Sequence, residues 1–410
     1  MLIRLERVLL FLVVLFLPTQ LGLHFWPGFS FIYSLKIDYL SPTLYFWDLL
    51  VVGLLLVWIL RKPKVNKVAL NLFLFFLLTL GASLLGAANI GAGLVRLEQY
   101  MLAGFFGIFL ASQDLKSLLG KIYLPLVLGI IGESLLAILQ VIKGETLGLW
   151  ILGERTFSLS TPGIAKFDFY GWQFLRPYGT FPHPNALAGF MLVAVILVSF
   201  WGAKRARMTL LITTVLAGLT IFLTVSRTAI LAGFIIFVVL LKRKWLIFVT
   251  IITFILSPVL FTRFFSLLNF DNLTLLRREE LVGTAWQIFL KHPVFGVGLN
   301  NFIPTVASDL TVGPSRFLQP VHNIFLLSLS ETGLIGLIGL ISLIGFPIFR
   351  FLKLHPIPYT LYPWLIIIFL GMFDHYFLTL PQGYRLLFLV WGLSFSPRLN
   401  RGSMIKYSRE

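Results

Sequence analysis

The chain contains no cysteine and little charge, and these two shortages exclude whole classes of protein. Without a cysteine among its 410 residues, it cannot form disulfides, use a thiolate nucleophile or ligate a metal through sulfur. Charged residues make up 12% of the sequence, about half the share found in soluble proteins, whereas 58% of residues are hydrophobic. Mean hydropathy is +0.94. These values exclude a water-soluble globule and predict a protein folded in a lipid bilayer.

Motifs that mark nucleotide or metal chemistry are missing as well. The sequence has no His-Glu-x-x-His, no Walker phosphate loop, no dinucleotide fingerprint and no Asp-x-Asp pair for a metal-bound nucleotide sugar. We therefore predict no metal and no other cofactor.

Apolar stretches suited to crossing a bilayer follow one another along the whole chain. A spanning helix needs about 20 mostly apolar residues. Twelve windows of this kind cover residues 5–23, 43–60, 68–88, 94–112, 122–142, 186–202, 208–225, 228–241, 245–261, 322–346, 357–378 and 383–397. The alternating segments of an outer-membrane barrel, about 10 residues each, are much shorter. We predict an all-α polytopic integral membrane protein, a single membrane domain over residues 1–410 with about 12 transmembrane helices.

Basic residues indicate how these helices are oriented. If the N-terminus is cytoplasmic, the segments on that side hold 20 of the 33 Lys and Arg residues, opposed only by Glu6, Asp114 and Glu410. The formal net charge of +17 then lies entirely on the cytoplasmic side, as the positive-inside rule requires. We predict cytoplasmic N- and C-termini, a location in the cytoplasmic (inner) membrane, and no nucleic-acid partner.

Three external features follow from this orientation. The apolar run 208–241 has basic clusters at both ends and is interrupted only around Arg227, so it is predicted to form a hairpin with Arg227 at its external apex. Two long connections, residues 143–185 and 262–321, also fall outside. The second is predicted to be a large external loop between helices 9 and 10. Within it, helical spacing of apolar residues predicts an amphipathic helix near 276–291.

Three arginines on separate external segments are candidates for binding an anion. Arg176, Arg227 and Arg278 suit a phosphate or diphosphate, because guanidinium groups pair bidentately with phosphate oxygens and stay charged at any depth. The alternative for each arginine is contact with lipid headgroups or with a carboxylate. External chemistry without nucleotide or metal requires a donor activated beforehand, and a lipid-linked diphosphate meets that requirement.

Histidine and amide side chains complete the first group of candidates. His322 opens a predicted span, and an imidazole with a pKa near ~6.5 is suited to act as general base for a hydroxyl. The alternative is an interfacial histidine bound to the backbone. His183 stands between two prolines and also fits a turn residue, and Asn185 also fits the N-cap of the next helix.

Polar residues in later spans are further candidates. Asn323 follows the candidate base directly, and Glu331 lies nine residues into the same span, where it could pair with an arginine or pack between helices. Asp374 and His375, near the external end of the eleventh span, could line the same cavity.

Four segments, in order and spacing, resemble the O-antigen ligase family, whose relatives are the O-antigen polymerases and bacterial O-oligosaccharyltransferases. They lie between about residues 170 and 380. The segments are Arg176-Pro-Tyr-Gly-Thr-Phe-Pro-His-Pro-Asn185-Ala-Leu-Ala188; Ser226-Arg227-Thr228; Arg278 followed by Trp286 and Lys291-His-Pro-Val-Phe-Gly-Val-Gly-Leu-Asn-Asn-Phe302; and His322-Asn-Ile-Phe-Leu with Glu331-Thr-Gly-Leu-Ile-Gly336.

The resemblance implies about twelve membrane helices, a large external loop, and inverting, metal-independent glycosyl transfer from an undecaprenyl-diphosphate-linked glycan. It implies that Arg227 and Arg278 bind the diphosphate and that His322 is the base or positions the acceptor. On this interpretation, the expected substrate-binding residues are Arg176, His183, Asn185, Asn323 and Glu331.

The acceptor class distinguishes the branches of this superfamily. A lipid A core sugar would make the protein a ligase of lipopolysaccharide biosynthesis, another glycan repeat would make it a polymerase, and a protein hydroxyl would make it an oligosaccharyltransferase. A polytopic transporter or lipid-linked glycan flippase is the alternative from another class. The common two-half transporters carry repeated halves and a long central loop, whereas this chain has only Lys204 to Arg207 between its sixth and seventh spans.

Overall fold

The computed structural model describes residues 1–202, 207–240, 273–309, 318–354 and 358–396. These residues are mostly helical, and the only strands among them form three short antiparallel pairs. The helices are α1 (Leu2–Leu15), α2 (Phe46–Leu60), α3 (Lys67–Ser83), α4 (Ile90–Ala111), α5 (Leu115–Lys143), α6 (Pro184–Gly202), α7 (Arg207–Leu223), α8 (Arg227–Leu240), α9 (Leu273–Lys291), α10 (Phe302–Asp309), α11 (Ile324–Leu354), α12 (Pro358–Gly371), α13 (Tyr376–Thr379) and α14 (Pro381–Phe395).

Helix length and composition agree with an all-α membrane protein. Within the described residues, four helical segments are long and apolar enough to cross a membrane: Lys67–Gly86, Ile90–Ala111, Leu115–Lys143 and Ile324–Arg350. Five shorter apolar helices accompany them: Phe46–Leu60, Pro184–Ser199, Arg207–Leu223, Arg227–Ile236 and Leu361–Gly371. The window at 245–261 lies outside the described residues. Twelve spans and their orientation therefore stay predictions.

The first apolar window differs from its prediction. The sequence predicts a span over residues 5–23, but α1 ends at Leu15 because Pro18 lacks the N–H that a continuing helix requires. The chain then forms two small sheets, in which β1 (Gly22–His24) pairs with β4 (Thr43–Tyr45) and β2 (Phe31–Ile32) pairs with β3 (Leu35–Lys36). The third pair, β5 (Lys166–Phe169) with β6 (Trp172–Leu175), lies in the connection between α5 and α6.

Helix α14 lies at the centre of the bundle, buried along its whole length and packed chiefly against α4. It carries one charge, Arg385, which is completely buried. The guanidinium lies 4.7 Å from the ring centre of Tyr45 and 4.6 Å from that of Trp47. Its Nη1 donates to the Thr19 carbonyl at 2.8 Å, and its Nη2 is 3.7 Å from Asp48 Oδ1. Aromatic faces and one carboxylate thus compensate a charge that would otherwise be costly in the core.

The turn after α9 inserts into a break in α11. Gly333, inside α11, has a non-helical backbone with φ 63° and ψ −164°. Residues 293–298, here called the 293–298 turn, form backbone hydrogen bonds with both sides of this break. The bonds are Val297 N to Ser330 O (3.1 Å), Gly298 N to Glu331 O (2.8 Å), Leu334 N to Pro293 O (2.9 Å) and Ile335 N to Val294 O (3.3 Å). Two sequence segments that lie more than 30 residues apart are therefore interlocked through main-chain atoms.

Glycine is required at the centre of this interlock. A Cβ on Gly333 would lie 2.3 Å from the Val294 carbonyl oxygen, and a Cβ on Gly296 would lie 2.3 Å from the carbonyl carbon of Glu331. Both glycines also have positive φ, which side chains rarely adopt.

Replacing Gly333 by alanine is expected to destabilise the protein. The backbone region that Gly333 occupies costs other residues on the order of 1–3 kcal/mol, and the clash with the 293–298 turn adds to that cost. Gly345→Ala, in the same helix with no atom near the added Cβ, is the matched control and should be neutral or slightly stabilising. Thermal unfolding of the purified variants measures the difference. Equal melting temperatures for Gly333→Ala and wild type would contradict the interlock.

Candidate active site

A polar cavity of about 640 Å³ opens among the helix ends. The cavity is lined by the segment between α1 and α2, the loop 150–164 and the start of α4. The residues before α6, α11 and α13 also line it. Its volume is in the range of small-molecule sites. The ionisable groups that line it include Asp38, Arg96, Glu154, Arg155, His183, His322, Asp374 and His375.

His322 lies just before α11, at the inner side of this cavity. Its Nδ1 is buried and has no hydrogen-bond partner within the described part of the chain. Its ring packs against that of His375, with 5.0 Å between ring centres. Burial lowers the pKa of His322, the positive charge of Arg278 lowers it further, and Asp374 partly opposes the shift. The imidazole is therefore neutral at neutral pH and able to accept a proton.

Asp374 is the carboxylate next to this histidine. It is buried in the link between α12 and α13, where Oδ2 accepts from Asn185 Nδ2 at 3.1 Å and Oδ1 accepts from the His375 backbone N–H at 2.8 Å. Burial acts to raise the pKa of Asp374, but the adjacent histidines and Arg278 outweigh burial and lower that pKa to about 2. The cavity thus holds an ionised carboxylate beside the candidate base.

The histidine that follows Asp374 is held by a hydroxyl. His375 Nδ1 lies 2.6 Å from Thr379 Oγ1, and the same hydroxyl lies 3.1 Å from the His375 carbonyl oxygen. When the hydroxyl donates to that carbonyl, it accepts from Nδ1–H, and Nε2 of His375 then carries no proton. Burial lowers the pKa of His375 to about 3, with Asp374 opposing the shift.

These three residues are also the group, within the described residues, that could hold a metal ion. His322, Asp374 and His375 each offer one ligand atom, and the three atoms lie within 4.8 Å of one another. Two imidazole nitrogens and one carboxylate are a donor set that Zn²⁺ and similar ions accept. The absence of a metal cofactor therefore stays a prediction that needs an experiment.

Arg227 and Arg278 lie on two different helices, and neither lines the 640 Å³ cavity. Arg227 is the first residue of α8 and follows the turn 224–226, and Arg278 lies in α9; both are partly buried. Arg278 is close enough to act electrostatically on both Arg227 and His322. No carboxylate pairs with Arg278 among the described residues. Two guanidinium groups that act on each other electrostatically, one of which also acts on a neutral imidazole, are suited to binding an anion.

Arg176 and Asn185 lie beside this group and are bonded to each other. Arg176 is buried; its Nε donates to the Thr224 carbonyl at 2.6 Å and its Nη2 donates to Asn185 Oδ1 at 2.8 Å. His183 lines the cavity, and its Nδ1 accepts from the Asn185 backbone N–H at the start of α6. Substrate contacts of Arg176, His183 and Asn185 stay predictions.

Asn323 and Glu331 have helix-capping contacts. Asn323 Oδ1 accepts from the backbone N–H groups of Phe325 and Leu326, both at 2.9 Å, at the start of α11. Glu331 is buried, and its Oε1 accepts from Phe302 N at 3.2 Å at the start of α10. Glu331 does not line the 640 Å³ cavity. Substrate binding by either residue likewise stays a prediction. The capping contacts already account for a polar side chain at each of these positions.

Comparison with known proteins agrees with the resemblance noted in the sequence. Residues 212–341 match a family model described as O-antigen ligase. The match includes Arg227, Arg278 and His322, whereas Arg176, Asn185 and Asp374 lie outside it. No curated protein matches the chain.

The electrostatics of this site lead to a titration prediction. Because burial and Arg278 disfavour the imidazolium, His322 should titrate below 6.5 in the purified protein. Asp374→Asn removes the negative charge that favours the imidazolium, so the pKa of His322 should fall further. NMR titration of labelled histidines, with His322→Gln for assignment, measures both values. Asp38→Asn, which removes another cavity carboxylate, is the control and should leave the pKa of His322 unchanged. A rise in Asp374→Asn would contradict the arrangement.

Proposed function

We propose, taking the chain as a member of the O-antigen ligase family through residues 212–341, that it is a membrane glycosyltransferase. It transfers a glycan from undecaprenyl diphosphate, or a closely related polyprenyl diphosphate, to an acceptor hydroxyl. The reaction takes place on the external face of the cytoplasmic membrane, with the polyprenyl tail of the donor among the helices. Basic residues concentrated on the opposite, cytoplasmic side support this orientation.

The reaction needs three events in one place. The acceptor oxygen forms a bond to the anomeric carbon, the bond from that carbon to the diphosphate oxygen breaks, and the acceptor proton moves to the imidazole of His322. Attack from the side opposite the leaving diphosphate inverts the anomeric centre. Arg227 and Arg278 neutralise the charge that develops on the diphosphate, and such stabilisation is usually the largest catalytic contribution.

One observation carries this proposal. Hydrogen bonds link the turn before Arg227 through Arg176 and Asn185 to Asp374, whose carboxylate lies within 4.8 Å of a ring nitrogen of His322. Arg278 is near enough to act electrostatically on both Arg227 and His322. Asp374, ionised beside His322, stabilises the imidazolium that forms when the proton arrives. A transporter or flippase would need a path for its substrate but no neutral base beside two arginines.

The hydrogen bonds of Asp374 and the charges of the arginines also bear on whether the reaction requires a metal ion. Both oxygens of Asp374 already accept hydrogen bonds, from Asn185 and from the His375 backbone, and the arginines supply the positive charge that a divalent ion would otherwise bring. We therefore propose that transfer does not require a metal. If an ion were bound, His322, Asp374 and His375 would hold it, and it would polarise a bound oxygen.

The arginine assignment predicts a specific pattern of losses. Arg227→Ala or Arg278→Ala should abolish transfer in a folded protein, since each charge-assisted contact contributes about 1.5–3 kcal/mol to donor binding and more in the transition state. Lysine at either position should restore only part of the activity, because a point charge does not reproduce the guanidinium fork. Arg277→Ala, one residue from Arg278, is the matched control. Wild-type turnover in both alanine variants would exclude the assignment.

Reconstitution tests the reaction itself. Purified protein in nanodiscs, given a polyprenyl-diphosphate glycan and candidate acceptors in excess EDTA, should yield glycosylated acceptor and free polyprenyl diphosphate by mass spectrometry. His322→Ala should lower the rate by roughly 10²–10⁴-fold, the usual contribution of a general base. Product on a lipid A core acceptor identifies a ligase, and chain extension of the glycan identifies a polymerase. Activity lost in EDTA and restored by Mn²⁺ or Zn²⁺ would show that the histidine-carboxylate group works as a metal site. Movement of intact donor across the bilayer without bond cleavage would exclude glycosyl transfer.

A further inference from the structure

A continuous chain of hydrogen bonds connects the turn before Arg227 with the carboxylate beside His322. Arg176 donates through Nε to the Thr224 carbonyl and through Nη2 to Asn185 Oδ1. The amide of Asn185 then donates through Nδ2 to Asp374 Oδ2 at 3.1 Å. Thr224 belongs to the turn that precedes Arg227. The chain therefore joins the start of α8 to the link between α12 and α13.

The direction of each bond is set by chemistry. A guanidinium can only donate, so the oxygen of Asn185 must face Arg176 and its NH₂ group must face Asp374. An ionised carboxylate can only accept, which agrees with this orientation of the amide. Without Arg176, the amide of Asn185 could rotate so that its oxygen faces Asp374. The carboxylate of Asp374 would repel that oxygen.

We propose that Arg176 and Asn185 are positioning residues that act through Asp374 and through the turn before Arg227, and that they do not bind the donor diphosphate. This proposal rests on the proposed function. Arg176 fixes the amide of Asn185, the amide fixes the carboxylate of Asp374, and the carboxylate orients His322. The second arm, from Arg176 Nε to the Thr224 carbonyl, fixes the backbone from which Arg227 extends. The buried guanidinium of Arg176 thus fixes the proton-accepting side of the site relative to the leaving-group side.

The buried position of Arg176 supports a positioning role. Only 7% of Arg176 is exposed, whereas Arg227 and Arg278 are both partly exposed. Two of its guanidinium nitrogens have short bonds to fixed protein oxygens. A diphosphate would have to displace these bonds to engage the same nitrogens.

Separate measurements of donor binding and turnover test the proposal. Arg176→Lys keeps the charge but cannot form both bonds, and Asn185→Leu keeps the volume but removes the amide. Each should lower kcat on the order of 100-fold, as expected when reacting groups shift by about 1 Å. For Asn185→Leu, which leaves the bond from Arg176 to Thr224 in place, the Kd for the polyprenyl-diphosphate glycan should change by less than about threefold. Gln173→Leu, an exposed residue in β6 close to Arg176 in sequence, is the matched control for the local fold.

A double-mutant cycle distinguishes action through Asp374 from a general loss of structure. Asn185→Leu should cause no further loss of kcat in an Asp374→Ala background, because its effect requires that carboxylate. Asn185→Leu should also shift the acid limb of the pH–rate profile, whereas a change that only lowers the folded fraction would leave the shape of the profile unchanged.

Three results would overturn the proposal in a wild-type protein that transfers glycan. These are a tenfold or larger rise in donor Kd for Asn185→Leu, fully additive losses of kcat, and unchanged turnover. Absence of transfer by wild type itself would count against the proposed function instead, and the two failures are therefore distinguishable.

Discussion

The backbone hydrogen bonds between the 293–298 turn and the break in α11 at Gly333 determine the geometry of the site. α9, which carries Arg278, leads directly into this turn, and α11, which follows His322, is broken to receive it. The four backbone hydrogen bonds use no side chains, so they fix the two helices regardless of the groups that line the cavity. Glu331 reinforces the junction by capping α10 at the residues that follow the turn. The position of the helix that carries Arg278 relative to the helix that follows His322 therefore depends on the main chain.

Electrostatics divide this site into two parts with opposite requirements. On the proposed diphosphate side, the positive charge of Arg278 acts on Arg227, and a bound anion would offset that repulsion. On the acceptor side, burial keeps His322 neutral while Asp374 stays ionised beside it. The imidazole can then take a proton and become a cation next to an anion that is already present. Arg278 acts on both Arg227 and His322, so in the proposed reaction a bound diphosphate would also weaken the positive field that, together with burial, lowers the pKa of His322.

The sequence predicted local features well and long-range partnerships poorly. The interruption around Arg227 marked the turn between α7 and α8 because basic clusters at both ends of an apolar run require a return of the chain. The roles of Glu331 as a cap and of Asn185 as a donor to Asp374 depend on partners 29 and 189 residues away, which no local pattern reveals. In the sequence, only the adjacent Asp374 and His375 indicate that Asp374 is a candidate site residue. The sequence predicts parts of β1 and β4 as the ends of spans, since short strands with apolar side chains resemble the end of an apolar helix.

The central claim is that this cavity opens to the outside, where an activated lipid-linked donor replaces nucleotide sugars. Because the chain has no cysteine, single cysteines report accessibility without background. Ser160→Cys, an exposed position next to the cavity wall, should react with a membrane-impermeant maleimide added to intact cells. Lys64→Cys, exposed in the loop between α2 and α3, should react only after the membrane is permeabilised. Labelling of the cysteine at 64 but not the one at 160 in intact cells would place the cavity on the cytoplasmic side and contradict the account.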